Sequence, residues 1–324
     1  MAIDRRTLAG LVMAVLVLPT STFAQTFPSK QLRIVVPYPA GGPTDALARI
    51  IAAEMQGDLG QTVIVENKAG ASGAIGTKDV AKGDADGHAI VLGTNQTHVT
   101  NAYLLKDPGY DPIKDFVPVA GLADLQHVLV VRKSLGVKTV AELITLAKQD
   151  PGKLNAGSTG VGSGSHLTLE LFKSRAGIDV KHIPFRGSAP LALEIVAERI
   201  DLSFATVPTV LGQIQAGEML ALALASDAPS PQLPAVPLLK TQGVTGSEGD
   251  AWLALFAPAA IPPANLDRLR RSVAAAMSKP EARANAIKLG IAVNVRDGQA
   301  FADYQAAEFK KWADVIKSAG VKVE

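Results

Sequence analysis

Two glycine-bearing loops carry the residues best suited to chemistry in this chain. In the first, Pro39-Ala40-Gly41-Gly42-Pro43-Thr44-Asp45, adjacent glycines let a ligand approach the main chain and Pro43 suits the first position of a helix. The N–H groups of a helix start lack partners within the helix and, with its dipole, favour a carboxylate or phosphate. In the second loop, Gly157 to Ser165, four glycines and four hydroxyl residues fill nine positions. Such a loop offers many donors with little steric obstruction, so an anionic or polar ligand can lie against it. A plain strand-to-helix turn and a flexible connector would use the same residues, and both readings stay open on these segments alone. Asp45 likewise fits either a carboxylate serving its own helix's first turn or a contact to ligand or water.

Strands and helices must hold these loops. Leu32, Ile34, Val35 and Val36 form a continuous apolar run, as in a strand covered on both faces, and Leu47, Ile50, Ile51 and Met55 mark one face of the helix that follows. Further strands are expected over Thr62–Glu66, His88–Gly93, Val128–Val131, Val180–Ile183 and Trp252–Ala257. Helices are expected over Ala74–Ala81, His166–Arg175, Ala264–Met277 and Ala300–Ala319, with capping-box patterns at Thr139–Glu142 and Ser278–Glu281. Thr94 to His98 reads as a polar loop and Asp107 to Pro118 as a proline- and aspartate-rich passage. The alternation points to parallel α/β architecture.

An address label precedes the first loop. Arg5 and Arg6, the apolar run Leu8–Leu18 and Thr22-Phe23-Ala24 have the charged, hydrophobic and small-residue parts of a secretory signal, with cleavage expected after Ala24. The apolar run falls short of the roughly 20 residues that span a bilayer. Of 324 residues none is cysteine, which excludes disulfides and thiolate metal sites, and 48% are hydrophobic, enough for a chain that relies on core burial. A net charge of +2 argues against nucleic acid as a partner.

Other site classes fit poorly. Ala156-Gly157-Ser158-Thr159-Gly160 and Gly70-Ala71-Ser72-Gly73-Ala74 each miss one outer glycine of the nucleophile elbow, which leaves an exported serine-type hydrolase acting on small esters as the competing class. His88, His98, His127 and His182 show no metal-ligand spacing, and no metal or cofactor is expected. A dinucleotide fingerprint fails because Gly160-Val161-Gly162 is followed by Ser165 in place of glycine, with Asp179 the one loose candidate for the ribose partner. His166 suits packing at its helix start or orienting Ser165.

Several short segments, in order and spacing, resemble the Bug-type solute-binding proteins of the tripartite tricarboxylate transporter group. They include Ile34-Val35-Val36-Pro37, Pro39-Ala40-Gly41-Gly42 with Asp45, Val65-Glu66-Asn67-Lys68 with Gly70 and Gly73, and Leu92-Gly93-Thr94. Gly164-Ser165-His166-Leu167, Gly187-Ser188-Ala189-Pro190, Gln215-Ala216-Gly217 and Trp312 extend the match over essentially the whole mature chain.

The resemblance implies a two-lobed type II periplasmic binding protein fold, each lobe a mostly parallel sheet flanked by helices, joined by crossing strands. Residues 1–24 would be the signal peptide, 25–124 and 228–324 one lobe, and 125–227 the other. It implies a monomeric periplasmic receptor, without enzymatic activity, that closes on a small organic carboxylate and serves a tripartite tricarboxylate-type transporter or a sensor. The implied ligand set is Ala40, Gly41, Gly42, Thr44 and Asp45 with Thr94 and Asn95, facing Ser158, Thr159, Gly160 and Ser165 with Gly187 and Ser188. Phe204-Ala205 stands where many relatives have Phe-Asp, which disfavours amino acids. Phe185-Arg186-Gly187 replaces a common Tyr-Lys-Gly, so Arg186 either clamps a second carboxylate or faces solvent.

Overall fold

The computed structural model describes residues 27–321; the expected signal peptide and its cut after Ala24 lie outside the described residues. The chain begins β1 (Leu32–Val36), α1 (Pro43–Leu59), β2 (Val63–Asn67), α2 (Ala74–Ala81) and β3 (Ala89–Thr94). A single π-helical turn, Gln96–Thr100, and α3 (Asn101–Leu104) lead to β4 (Phe116–Leu125). After Gln126 the chain crosses to a second sheet through β5 (His127–Arg132), α4 (Val140–Gln149), β6 (Asn155–Ser158), α5 (Gly164–Ala176) and β7 (Lys181–Pro184). There follow α6 (Ser188–Val196), β8 (Leu202–Thr206), α7 (Val207–Gln215) and β9 (Met219–Leu224). It returns as β10 (Ala251–Pro258), α8 (Pro263–Ser278), α9 (Pro280–Lys288), β11 (Ala292–Asp297) and α10 (Gly298–Ala319).

The six-stranded sheet has the order β11-β4-β10-β3-β1-β2 and the five-stranded sheet β7-β6-β8-β5-β9. Both are mixed, where mostly parallel sheets were expected. Strands linked through a helix pair in parallel, β1 with β2 and β3, β6 with β7 and β8. The first strand after each crossover needs no such helix: β5 enters antiparallel between β8 and β9, and β10 antiparallel between β3 and β4.

Period-2 patterning makes each sheet cover two cores. In β10, Leu253, Leu255 and Ala257 pack under α1 and α8, while Trp252, Ala254 and Phe256 face the core shared with α2 and α10. In β5, Leu129 and Val131 join α4 and α5, and Val128 and Val130 join α6 and α7. Leu233, Leu239 and Val244, on the way back to β10, bury against the second sheet.

Thr139 caps α4 as its sequence suggests, accepting from the Glu142 N–H at 3.1 Å. The box expected at Ser278–Glu281 does not form, because Ser278 Oγ donates back to the Ala275 carbonyl at 2.8 Å.

Candidate functional site

Between the sheets lies a cavity of about 130 Å³ whose walls are mostly helix N-termini. From the first lobe come Ala40, Gly42, Pro43 and Thr44 at the start of α1, and Thr94 and Asn95 at the end of β3. From the second come Thr159, Ser163, Gly164 and Ser165 at the start of α5, and Arg186 to Pro190 at the start of α6. Leu125, His127 and Ala251, beside the two crossovers, complete it. Three helices of 17, 13 and 9 residues thus aim their N-termini at one volume. Among the described residues lining it there is no carboxylate, and Arg186 is the one charged side chain.

Ten of the fourteen residues expected from the sequence therefore line this cavity. Four do not. Gly41 lines an adjoining groove instead, and takes a positive φ of 85° that permits the turn into α1. Asp45 is engaged within its own helix turn, accepting from the Gly41 N–H at 3.0 Å and pairing with Arg49 at 2.9 Å. Burial pushes its carboxyl up, but the Arg49 guanidinium and the Gly41 N–H outweigh that and hold it below the usual carboxylate range. Ser158 is buried behind the loop, with its Oγ against His182 Nε2 at 2.6 Å and accepting from the Gly160 N–H at 3.2 Å. Gly160, at φ 137°, serves the turn of the loop, its carbonyl accepting from the Ser163 N–H at 3.2 Å.

The Ser158–His182 contact is the arrangement nearest to a hydrolase pair. Neither residue lines the cavity, and no carboxylate orients the other nitrogen of His182 among the described residues. No cluster of metal-ligating residues occurs among them either.

Tyr38, Gln96 and His127 line the cavity although none of them belonged to the expected ligand set. Tyr38 Oη meets Thr94 Oγ1 at 2.6 Å and donates to Gln96 Oε1 at 3.1 Å; Gln96 Nε2 then reaches across to the Val161 carbonyl at 3.3 Å. Thr100 Oγ1 makes a second inter-lobe bond to the Gly162 carbonyl at 3.0 Å. The expected polar loop at Thr94–His98 is thus a buried π-helical turn joining the lobes. Irregular helical turns of this kind are frequent at functional sites.

Behind the second loop, His166 Nδ1 accepts from the Gly162 N–H at 3.0 Å, and its ring stacks on His182 at 3.8 Å. Burial lowers both rings, to about 3 and about 4, helped for His166 by His182 and for both by Lys173. Burial alone takes His98 to about 3 and, as the main cause, His127 to about 4. An unfolded histidine titrates near 6.5, so between there and pH 4 the unfolded chain binds more protons and the fold loses stability as pH falls. Asp250 works the other way: burial raises it to about 7, so the native chain binds the extra proton and this contribution is lost as pH rises through 7. Four histidines outweigh one aspartate. The denaturation midpoint should fall steadily from pH 7 to pH 5, above the ordinary carboxylate range. A midpoint that is flat or rising over that interval would show that these rings are not held neutral.

No described helix is long and apolar enough to cross a membrane. A family model described as the tripartite tricarboxylate transporter family receptor matches residues 47–321. The chain is 32% identical over 317 residues to the protein BugT of Bordetella pertussis, covering 97% of each. It superposes on R. palustris Rpa4515 with adipate at a TM-score of 0.87 and 35% identity, covering 91% of this chain and 99% of that one. For MatC from Rhodopseudomonas palustris with bound malate the TM-score is 0.83 and the identity 31%, over 90% and 100% of the two chains.

Proposed function

The chain belongs to the tripartite tricarboxylate transporter receptor family, a family of solute-binding proteins, and on that premise we propose that it captures a small carboxylate outside the cytoplasm for a transporter of that type or for a sensor. The observation that carries this reading is the convergence of three helix N-termini on a cavity lined by no carboxylate among the described residues. Fixed N–H dipoles facing one volume stabilise an anion and cost no reorganisation when it arrives. Adipate in one similar structure and malate in another are both dicarboxylates, which favours the same class here. Arg186, on the cavity wall without an ion-pair partner among the described residues, suits the second carboxylate.

Thermal unfolding against C3 to C7 mono-, di- and tricarboxylates tests the reading. A cognate acid at 100 times its dissociation constant should add about 2.7 kcal/mol. Arg186→Gln should weaken the best diacid about tenfold and a monoacid of equal length little. If no acid in the series shifts the midpoint, the carboxylate reading is wrong; if the variant weakens both acids equally, Arg186 is not the second clamp.

A further inference from the structure

The floor of the cavity is chemically unlike its walls. His127 Nδ1 lies 2.5 Å from the Gly249 carbonyl oxygen, which can only accept, so Nδ1 carries the proton. A neutral ring then leaves Nε2 as a lone-pair acceptor with no protein partner among the described residues. Asn95 is 1% exposed and makes no side-chain hydrogen bond; its Nδ2 is buried and unpartnered. Gly164 brings the two together: a Cβ there would stand 3.4 Å from His127 Nε2, 3.4 Å from Asn95 Nδ2 and 2.9 Å from His127 Cε1. All three residues line the cavity.

We propose that Asn95 and His127 form a hydroxyl-recognition subsite, so that the ligand held between the lobes is a hydroxy-carboxylate. This rests on the reading of the cleft as an anion site and adds a requirement to it. A carboxylate has no proton to give, and against Nε2 it would set lone pair on lone pair. A methylene would leave both the buried amide and the imidazole unpaired. An alcohol O–H donates to Nε2 and accepts from the amide, which satisfies both at once. Sites built to hydrogen-bond a hydroxyl reject the analogue that lacks it more strongly than a pocket of apolar shape can reject an added one.

Other charged groups near the floor leave this chemistry in place. Lys311 of α10 acts on the ring in the same direction as burial, towards the neutral form. Asp250, at the second crossover, accepts from Ser226 Oγ at 2.7 Å, and Asp124 of β4 is paired with Arg296.

Titration calorimetry with the exported full chain and matched acids decides the matter: succinate against malate, glutarate against 2- and 3-hydroxyglutarate. The hydroxy-acid of at least one pair should bind 10- to 100-fold more tightly, and the preference should persist from pH 8 to pH 5. His127→Phe should reduce that ratio to near one, while His127→Gln, which keeps an acceptor where Nε2 stood, should retain part of it. Melting of the ligand-free variants reports whether they fold, and the ratio in the unsubstituted protein stands without them. Equal, tight binding of both acids in every pair would overturn the hydroxyl subsite and leave the carboxylate receptor intact. Absence of binding by every acid would overturn both.

Discussion

Gly42→Val should leave the fold in place and abolish ligand binding. Gly42 is the N-cap of α1, at φ −85° and ψ 172°, a backbone region open to any residue. A Cβ built there meets only the Pro39 carbonyl oxygen, at 4.0 Å. The added side chain therefore suffers no clash with the protein and projects from a cavity-lining position, next to the N–H groups that an anion must reach. Gly41 is the contrast, because its positive φ would strain any side chain whether or not space exists. Calorimetry should show affinity for the best carboxylate down at least a hundredfold, about 2.7 kcal/mol, with the ligand-free melting temperature changed by a few degrees at most. Asp45→Asn should cost much less affinity, since an amide oxygen can still accept from the Gly41 N–H. Unchanged affinity in a folded Gly42→Val protein would mean that the anion is not held at the start of α1.

The site was legible in the sequence where local chemistry fixes the outcome. A strand running into Pro-Ala-Gly-Gly-Pro leaves little choice but a tight turn and a helix, and a loop of alternating glycine and hydroxyl residues must expose donors wherever it lies. What stayed hidden depends on partners far along the chain. Thr94 to His98 read as a polar loop, yet all five residues are buried, because the His98 ring stacks on Phe256 at 3.7 Å and the His98 carbonyl accepts from Gln305 at 2.8 Å. Nothing in its neighbours gives His127 a role; its tautomer is set by a carbonyl 122 residues away. Pro118 masked β4, although the strand tolerates it where its register with β10 shifts, and its carbonyl accepts from Arg270 at 3.0 Å. Asp45 is a local case: readable as either a ligand contact or a helix partner, it is engaged by Gly41 and Arg49, each four residues away.

Trp312→Ala should produce the largest loss of stability of any single change considered, about 3–5 kcal/mol. Its indole is fully buried, and Nε1 donates to Glu308 Oε2 at 2.7 Å within α10. The cluster around it takes Trp252, Phe256 and Phe301 from the first lobe and Leu167 from α5 of the second. The ring also abuts the second crossover: a Cβ on Gly249 would stand 3.2 Å from its Cη2. Truncation therefore leaves a cavity where both lobes and the returning chain meet, with little freedom to collapse, and it removes the donor from the buried Glu308 carboxylate. Trp312→Phe is the milder change, because it keeps a six-membered ring and loses the N–H with a smaller part of the ring volume; its cost should be about 1–3 kcal/mol. Urea titration of the ligand-free protein measures both, and an unchanged m-value would confirm that stability and not cooperativity has moved. A loss under 1 kcal/mol for Trp312→Ala would mean that α10 lies on the lobes without tying them. The closure of the cleft would then have to be restrained by the Gln96–Val161 and Thr100–Gly162 bonds across it.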